Sequence, residues 1–361
     1  MSSANPVRAR QRRRLWLVLT AAAALLGMTY SVVINAVAER VVAFHAFEGL
    51  GYGAVIGGAW ALFLIHVQEG RAWARLRRLS FLAALAAETA VAIVVVAAGY
   101  AISALTFSEL ARRWFGQPGS GHSPASAAFW QDLLFALAVI VVVQFVLRVR
   151  RIIGARVLGN FVLGRYHTPL REERIFLFID LVGSTPLARE LGDERAQAMI
   201  TRFFFDIDQV TTAHGGETHR YIGDEVAVTW PLEEGRQDGT CLACLCEVRR
   251  ALAARAADYE ARFGQAPQFR AALHGGPVVA AECGDSKQEI VYFGDTINTA
   301  ARIAAQCKAL ERPWLISRQL LDRLDLPADL RAETAARVQL TGHERDTELV
   351  AITELRSPEN A

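Results

Sequence analysis

The sequence predicts a chain of two fold classes, an α-helical membrane domain followed by an α+β domain. Roughly the first 150 of the 361 residues contain four apolar segments, each near the roughly 20 residues that a helix needs to cross a bilayer core. The remaining residues alternate helical segments with short runs rich in β-formers, a pattern typical of an α+β sandwich. The net charge of +2 is too small to indicate a nucleic-acid partner.

Each of the four apolar segments is predicted to form one transmembrane helix. The first is too long for a signal-peptide core and lacks an evident cleavage site, so we predict that it is retained. The second is rich in glycine, which membrane helices tolerate because it allows neighbouring helices to approach closely. A buried amphipathic segment is the alternative interpretation of this second run. The helices are predicted at about 15–38, 44–67, 81–105 and 129–149, within a membrane domain of residues 1–149.

Basic residues flank these helices on one side of the membrane. Arginines cluster before the first helix, between the second and third, and after the fourth, whereas the other two connections carry fewer. The positive-inside rule therefore places both termini in the cytoplasm. This pattern predicts a multi-pass protein of the inner (plasma) membrane, with the lipid bilayer as a partner and with the N-terminus and the second domain in the cytoplasm.

Three ionisable residues lie within the predicted membrane helices. Glu88 interrupts an apolar run, and His45 and Glu48 lie near the outer end of the second helix. An ionisable group at membrane depth is by default a functional hypothesis, here a sensing role. We favour the alternative, hydrogen bonds between helices or contact with the membrane surface, because nothing in the sequence names a ligand.

A glycine-rich connector is predicted at residues 150–173, a second domain at 174–355 and a tail at 356–361. The position of the connector is compatible both with a transmitter of membrane state and with a passive linker. In the second domain, the helices are predicted to lie to one side of a mixed sheet. Strands are predicted at 174–181, 217–222, 225–230, 268–274, 277–283, 289–293 and 313–316, helices at about 185–214, 239–263, 296–308 and 317–324, and a terminal hairpin at 336–353.

Two acidic motifs stand at the ends of predicted strands. RIFLFIDLVGST places Asp180 at the end of a strand, and HRYIGDEV places Asp224 in a hairpin turn. Carboxylates at these positions can converge on one or two divalent cations. Hard cations such as Mg²⁺ bind one or two carboxylates together with substrate phosphates. Asp180 and Asp224 are therefore the predicted metal ligands.

These motifs resemble the catalytic domain of the class III nucleotidyl cyclases, the adenylyl and guanylyl cyclases. The resemblance covers about half of the chain and rests on four blocks in the family's order: FIDLVGST, HRYIGDEV, ALHGGPVVAAECG and YFGDTINTAARI. It implies a ferredoxin-like α+β catalytic fold. It also implies that ATP is converted to cyclic AMP and pyrophosphate, as the ribose 3′-hydroxyl attacks the α-phosphate with the help of two Mg²⁺ or Mn²⁺ ions per site.

The resemblance assigns further residues to the metal and the phosphates. The backbone carbonyl of Leu181 would be an additional metal ligand. Gly183, Ser184 and Thr185 open a predicted helix, whose free N–H groups can receive the triphosphate. N-capping is an alternative role for Ser184 or Thr185, and both roles can hold at once.

Asn298 and Arg302 lie four residues apart and therefore on one face of a predicted helix. In the family, the matching Asn orients the ribose and the matching Arg stabilises charge on the transferring phosphate. The family's metal aspartates come from one subunit and the Asn/Arg pair from the other. Because this chain carries both sets, the resemblance implies a homodimer with two equivalent sites and an inactive monomer.

The positions that read the base depart from the family pattern. Arg220 stands where many adenylyl cyclases have a lysine that reads adenine, and Val291 occupies the second base-reading position. The late phosphate-binding lysine has no clear counterpart, and His343 or Arg345 is the candidate replacement. ATP is the predicted nucleoside triphosphate, with GTP or a pyrimidine triphosphate as alternatives.

Two other functions fit parts of the sequence. A diguanylate cyclase is suggested by YIGDEV, but Ile222 replaces the first glycine of the Gly-Gly-Asp-Glu-Phe turn. A membrane receptor with an inactive, cyclase-like dimerisation domain is the second alternative, and the presence of both metal acids and the Asn/Arg pair argues against it. The Cys241–Cys246 run is predicted to pack in a buried helix, without a disulfide or a metal, since it lacks the partner ligands of a zinc site.

Overall fold

The computed structural model of the chain describes residues 6–36, 42–67, 80–115, 126–154, 157, 159–160, 163–286, 288–339 and 346–355. The chain divides into two compact units, residues 1–152 and 153–361. The first unit contains the predicted membrane helices and the second contains the predicted α+β domain. The finer limits predicted for the connector and the tail stay predictions.

Long helices make up the described part of the first unit. They are α1 (Pro6–Ala36), α2 (Val42–Leu62, followed by a π-helical turn at Phe63–Val67), α3 (Phe81–Phe115) and α4 (Ala127–Ile153). By length and composition, four spans in them could cross a membrane: Arg13–Ile34, Ala43–Ile65, Leu82–Phe107 and Ala127–Arg150. The four predicted apolar helices are therefore confirmed as helices, although α3 continues well beyond its predicted end at 105.

Glycines hold α1 and α2 in close contact. A Cβ atom placed on Gly53 would lie 2.3 Å from the carbonyl oxygen of Ala23, and one on Gly57 would lie 2.1 Å from the Cβ of Ala23. Gly49 makes an equally close approach to Gly27. The glycine-rich second segment thus allows the close helix packing that its composition indicated.

Glu88 contacts residues of the neighbouring helix α4, whereas His45 and Glu48 face each other on one helix. Glu88 on α3 is 6% exposed and forms an ion pair of 2.7 Å with Arg148 on α4. The side chain of Gln144 donates to the backbone oxygen of Glu88 at 3.5 Å. These contacts favour the helix–helix role of Glu88 over a sensing role. His45 and Glu48, one turn apart on α2, are 3.9 Å from each other.

The described part of the second unit contains a mixed sheet of eight strands. The strand order is β2-β3-β1-β4-β6-β8-β7, and β5 pairs with β4 off this path. The β4–β6 pair is parallel, and the other pairs are antiparallel. The strands are β1 (Leu170–Leu181), β2 (Glu217–Ile222), β3 (Glu225–Pro231), β4 (Phe269–Cys283), β5 (Glu289–Phe293), β6 (Trp314–Ser317), β7 (Leu330–Val338) and β8 (Thr347–Glu354).

Helices cover both faces of this sheet, so the prediction of helices on one side only is wrong. Alternate residues of β1 point to opposite faces: Leu177 packs in the larger core with Phe203 and Leu245, whereas Phe178 packs in a second cluster with Ala300. The helices are α5 (Ser184–Leu191), α6 (Asp193–Ala213), α7 (Leu232–Arg236), α8 (Thr240–Ala253), α9 (Ala256–Phe263), α10 (Asp295–Ala309) and α11 (Arg318–Leu321). Of these, α6 and α8 cover the first face and α10 covers the second.

Several predicted boundaries are corrected by the structure. The strands predicted at 268–274 and 277–283 form one strand, because Gly275 and Gly276 stay in the ladder opposite Ile175 and Arg174. The helix predicted at 185–214 breaks at Gly192, whose φ is 77°, and the helix predicted at 239–263 breaks at residues 254–255. The last hairpin begins at 330, earlier than the predicted 336, and the first strand begins at 170.

The cysteines of α8 lie inside the core, as predicted. Cys241 and Cys244 are fully buried and Cys246 is 4% exposed. Burial raises the pKa of Cys241 to about 12 and the pKa of Cys246 to about 11. All five cysteines are free thiols.

Candidate active site

Asp180 and Asp224 meet at one end of the sheet. Asp180 is the penultimate residue of β1 and pairs in register with Glu225, the first residue of β3. Asp224 lies in the tight β2–β3 turn, where Gly223 has a φ of 63° that favours glycine. The backbone N–H of Leu181 donates to the backbone oxygen of Asp224 at 3.3 Å. The structure therefore brings together the two acids that the sequence identified as metal ligands.

The electrostatics of this end of the sheet favour a bound cation. Burial raises the pKa of Asp180 to about 6, and the charge of Asp224 and a hydrogen bond to it act in the same direction. Burial raises the pKa of Glu225 to about 7, together with the charges of Asp180 and Asp224. The charges of Arg270 and Lys308 partly oppose the rise at Asp180. Mutual repulsion of this kind is relieved when a cation binds the carboxylates.

The oxygen ligands at this end of the sheet suit a hard cation that binds substrate phosphates as well as the protein. Within the described residues, no group of three or more His, Cys, Asp or Glu side chains is placed to hold a metal ion. Two aspartates and a nearby backbone carbonyl, that of Leu181, leave several coordination positions for water and phosphate. Mg²⁺ is commonly bound in this way.

The phosphate-binding residues predicted from the sequence form the start of α5. Gly183 is the N-cap residue, with a φ of 77°, and Ser184 is the first helical residue. The backbone oxygen of Gly183 accepts from Leu187 at 3.0 Å. Because Gly183 occupies the cap position, N-capping by Ser184 or Thr185 is not their role. The first N–H groups of a helix have no partner within it and can donate to an anion.

Asn298 and Arg302 lie on one face of α10, as their spacing predicted. The side-chain amide of Asn298 donates to the backbone oxygen of Gly294 at 3.4 Å, and Arg302 lies 3.9 Å from Asp295. Asn298 is exposed near the start of the helix.

Asn298 and the metal acids of one chain lie toward different ends of α10, and Arg302 lies at the middle of this helix. Cys307, near the end of this helix, contacts the backbone oxygen of Ala271, which pairs with Ile179 beside Asp180. Thr296, at the start of the helix, donates to the backbone oxygen of Pro277, which lies opposite Glu173 at the other end of β1. Ten residues separate Asn298 from Lys308, a distance of about 15 Å along the helix axis. In the described structure, Asn298 is therefore separated from the metal acids of its own chain.

Arg220, the candidate base-reading residue, has a partner that sequence reasoning missed. Its guanidinium on β2 donates to the carboxylate of Glu289 on β5 at 2.8 Å. Val291 is half-buried, and it shares a strand face with Glu289 because the two are two residues apart on β5. The sequence shows an acidic residue two positions before Val291, so their common strand face could have been predicted. The contact between β2 and β5 could not.

Behind Arg220 and Glu289, on the other face of β2 and β5, a second group of side chains packs together. The ring of His219 contacts the ring of Tyr292, with centroids 5.0 Å apart, and the guanidinium of Arg174 lies 4.7 Å from the Tyr292 ring centroid. Burial lowers the pKa of His219 to about 4, and the charges of Arg220 and Arg174 lower it further. Arg174 is 3% exposed and donates to Glu172 at 2.7 Å. This packed layer fixes the strands that carry Arg220 and Glu289.

His343 and Arg345, the candidate replacements for the late phosphate-binding lysine, lie outside the described residues. Their role stays a prediction from the sequence. The other predicted site residues are all described.

Known proteins resemble the chain over most of its length and over its second unit. The family model described as "Adenylate and Guanylate cyclase catalytic domain" matches residues 170–351. Adenylate cyclase 2 of Rhizobium meliloti (strain 1021) is 35% identical over 317 residues, which are 86% of this chain and 86% of that protein. Adenylate cyclase 1 of the same organism is 28% identical over 144 residues, 38% of this chain and 21% of that protein.

A solved structure shares the fold. A bacterial light-regulated adenylyl cyclase matches with a TM-score of 0.52 and 21% sequence identity, over 65% of this chain and 68% of that one. At this identity the likeness extends to the fold alone. It agrees with the mixed sheet and the helix layers described above.

Proposed function

The chain belongs to the class III adenylate and guanylate cyclase family, and on this premise we propose that it converts ATP to cyclic AMP and pyrophosphate at the membrane. Its family makes it a phosphorus–oxygen lyase. The observation that carries the proposal is the convergence of Asp180 and Asp224 at the end of β1. The choice of ATP is supported by the name of the Rhizobium relative, which the match covers nearly from end to end.

Asp180 and Asp224 hold the metal ions in this proposal, two Mg²⁺ or Mn²⁺ ions per site, with the carbonyl of Leu181 as a further ligand. Bound ions would activate the ribose 3′-hydroxyl and neutralise phosphate charge. The start of α5, with Gly183, Ser184 and Thr185, receives the triphosphate through its free N–H groups. His343 or Arg345 adds a positive charge to the phosphates.

A homodimer completes each site. Asn298 lies toward the opposite end of α10 from the metal acids of its own chain, and Arg302 shares a helix face with Asn298, so we assign both to the partner's nucleotide. Asn298 would orient the ribose, and Arg302 would stabilise the charge that develops on the α-phosphate. Each dimer then has two equivalent sites, and a monomer has none.

Arg220 and Glu289 read the base in this proposal, beside the apolar surface of Val291. Arginine only donates hydrogen bonds, and an ionised glutamate only accepts them. The pair can therefore match the ring-nitrogen acceptor and amino-group donor on the edge of adenine. Guanine also presents both an acceptor and donors on its edge, so GTP is the second candidate substrate.

The four apolar helices anchor the enzyme in the inner (plasma) membrane. Their lengths and compositions support this placement. The excess of arginine at one side of the predicted helices supports a cytoplasmic N-terminus and a cytoplasmic catalytic domain. This orientation places the nucleotide site in the compartment that contains the triphosphates.

The experiment is product identification with the full chain in membranes. Each of the four ribonucleoside triphosphates is supplied separately with Mg²⁺ or Mn²⁺, and the products are identified by mass. We expect cyclic AMP from ATP, with turnover reduced about 100-fold or more by Asp180→Asn, because a metal ligand is lost. Asp258→Asn, at an exposed position on α9, is the matched control and should keep full turnover.

Two results would contradict the proposal. A cyclic product from another triphosphate alone would replace ATP as the substrate and keep the cyclase reaction. No product from any triphosphate, from a chain shown to be folded and dimeric, would favour the inactive receptor instead.

A further inference from the structure

The connector contributes one buried tyrosine to the catalytic unit. Tyr166 is 2% exposed, whereas Arg165 and His167 on either side of it are exposed. Near-complete burial of one side chain from an exposed turn indicates a specific contact, because surface turns by themselves tolerate many side chains. The reaction proposed above uses no residue of the connector, so Tyr166 is a buried group without an assigned role.

Two hydrogen bonds attach this turn to β4. The backbone oxygen of Tyr166 accepts from the backbone N–H of Glu282 at 3.1 Å, and the Nδ1 atom of His167 lies 2.6 Å from the carboxylate of Glu282. Glu282 is in register with Ile290 of β5. The turn is therefore fixed to β4 at the level where β5 pairs, and β5 leads through Gly294 into α10.

The ring of Tyr166 belongs to the second hydrophobic cluster, which joins the sheet to α10. Ala300 is the fully buried residue of α10 in this cluster, and Ile297 and Ala304 pack against it. Val157, nine residues before Tyr166 in the connector, packs against the same cluster. Because Ala300 and Ala304 extend only a methyl group from the helix, the position of α10 depends on the side chains on which those methyl groups rest.

Asn298 and Arg302 belong to the same turns of α10 that rest on this cluster. Asn298 follows Ile297 directly, and Arg302 lies two positions from both Ala300 and Ala304. A shift of α10 on the cluster therefore moves both side chains with it. A displacement of about 1 Å at a reacting group can lower turnover about 100-fold.

A series of polar contacts orients the ring of Tyr166. Its hydroxyl donates to Glu172 at 3.3 Å, and Glu172 accepts from Arg174 at 2.7 Å. The guanidinium of Arg174 lies 4.7 Å from the ring centroid of Tyr292 on β5. Burial raises the pKa of Tyr166, so its hydroxyl stays protonated and remains a donor at neutral pH. The ring is thus held both by packing and by a hydrogen bond to a half-buried acid.

The metal acids are far from this contact along the sheet. Asp180 stands opposite Arg270 on β4, and twelve positions of that strand separate Arg270 from Glu282. The path is about 40 Å long in an extended strand. A change at Tyr166 is therefore expected to displace α10 and to leave the metal acids of the same chain in place.

We propose that Tyr166 is a positioning residue, whose ring holds α10 so that Asn298 and Arg302 reach the nucleotide bound by the metal acids of the partner chain. The inference rests on the proposed function, in which each site takes its metal acids from one chain and its Asn/Arg pair from the other. The last turn of the connector is then a functional part of the catalytic unit and not a passive linker.

The test uses mixed dimers in which one site alone is intact. Asp180→Asn on one chain and Arg302→Ala on the other leave a single site, built from the metal acids of the second chain and the Asn/Arg pair of the first. Different affinity tags on the two full-length chains allow the mixed dimers to be isolated in nanodiscs. Turnover of ATP with Mg²⁺ is then measured per mixed dimer.

Tyr166→Leu is added to either chain of this pair. On the Asp180→Asn chain, which supplies the Asn/Arg pair to the intact site, we expect it to lower turnover about tenfold or more. On the Arg302→Ala chain, whose α10 serves only the inactive site, we expect a change of less than about twofold. Tyr166→Phe keeps the ring and should restore most of the turnover that Tyr166→Leu removes.

Tyr259→Leu is the matched control. Tyr259 on α9 is also 2% exposed, and its hydroxyl also donates to a carboxylate, that of Asp206, at 2.9 Å. It belongs to the larger core, on the other face of the sheet, so its loss should have the same effect from either chain. Tyr166→Met, whose flexible side chain fills irregular space, replaces Tyr166→Leu if mixed dimers of that variant fail to assemble.

Equal losses from the two chains, or no loss from either, would overturn the inference and leave the proposed function intact, because the mixed dimer itself is active. A Tyr166→Phe variant as impaired as Tyr166→Leu would also overturn it, since the ring would then not be what positions α10. Absence of turnover in the mixed dimer before Tyr166 is changed would instead overturn the proposed dimer, and this inference with it.

Discussion

In the proposed function, base selection depends on Arg220 and Glu289, two oppositely charged groups that also bind each other. Their contact of 2.8 Å holds both side chains in place without a nucleotide, so the proposed base-reading groups are preorganised. Both are partly exposed, so the ion pair itself adds little stability. Its effect is therefore expected in substrate choice and not in folding.

We predict that Glu289→Gln changes the ratio of kcat/KM for ATP to that for GTP by about tenfold, or about 1.4 kcal/mol. The amide can donate where the carboxylate could only accept, so the hydrogen-bond pattern at the base edge changes. Initial rates with each triphosphate measure the ratio. Glu333→Gln, at an exposed position on β7, is the control, and an unchanged ratio in Glu289→Gln would remove Glu289 from base recognition.

His219 gives the second unit a pH dependence on the acidic side. Its folded-state pKa of about 4 is below its ordinary value of 6.5, mainly because the ring is buried. Between these values the unfolded chain binds more protons, so stability rises with pH. The contribution of neutral His219 is fully present above about pH 6.5 and is lost as the pH falls toward 4.

We therefore predict that His219→Gln flattens the loss of stability on acidification. Unfolding midpoints of the second unit, followed through the full chain from pH 7 to pH 4.5, should fall less steeply in the variant than in the unmodified chain. Parallel curves would show that His219 is not the group that titrates.

The location of a single residue can be predicted when a sequence motif specifies both the residue type and its place at a strand end or in a turn. The motifs around Asp180 and Asp224 do this: one places Asp180 at the end of a strand, and the other places Asp224 in a hairpin turn. The contact of Glu289 with Arg220 could not be predicted, because the two residues are 69 positions apart in the chain. Only the tertiary arrangement of β2 against β5 brings the two side chains together.

Among the elements, β4 shows how a glycine pair can be misinterpreted. Gly-Gly followed by proline indicates a turn from its composition. In the fold, these glycines continue the strand and allow close packing. A Cβ on Gly275 would lie 2.9 Å from Leu320 and 3.3 Å from the backbone oxygen of Arg174.

We predict that Gly275→Ala lowers the free energy of unfolding by about 1–3 kcal/mol through overpacking. Denaturant unfolding of the catalytic unit in the full chain measures the change. Gly159→Ala is the matched control, because a Cβ there would meet no atom of the described residues within 4 Å. Equal stability of the two variants would show that β4 adjusts without cost.

The helix boundaries were predicted less well than the helices themselves. Hydrophobic periodicity continues across Gly192, so the sequence indicates one long helix where the chain forms α5 and α6. The break is caused by the backbone conformation of Gly192, whose φ is 77°. Periodicity reports which side chains are buried and carries no information on such a conformation.

For the whole molecule, the separation of Asn298 from the metal acids predicts complementation between two inactive chains. Asp180→Asn and Arg302→Ala should each be nearly inactive alone. Co-expression forms mixed dimers in about half of the assemblies, each with one intact site of two, so about a quarter of the full activity should return.

The control combines both substitutions on one chain and co-expresses that chain with the unmodified chain. The mixed dimer then has Asp180→Asn in one site and Arg302→Ala in the other, so only unmodified dimers contribute. Activity in the first mixture no greater than the sum of the two variants alone would show that each chain builds its own site.

The buried cysteines of α8 can serve as chemical probes of transient opening of the catalytic unit. Cys241 and Cys244 are inaccessible to a thiol reagent in the folded chain, and burial also raises the pKa of Cys241 to about 12, so little thiolate forms at neutral pH. A maleimide can modify them only when the helix layer leaves the sheet. The rate of labelling therefore measures how often this layer opens in the full chain, whether or not nucleotide is turned over.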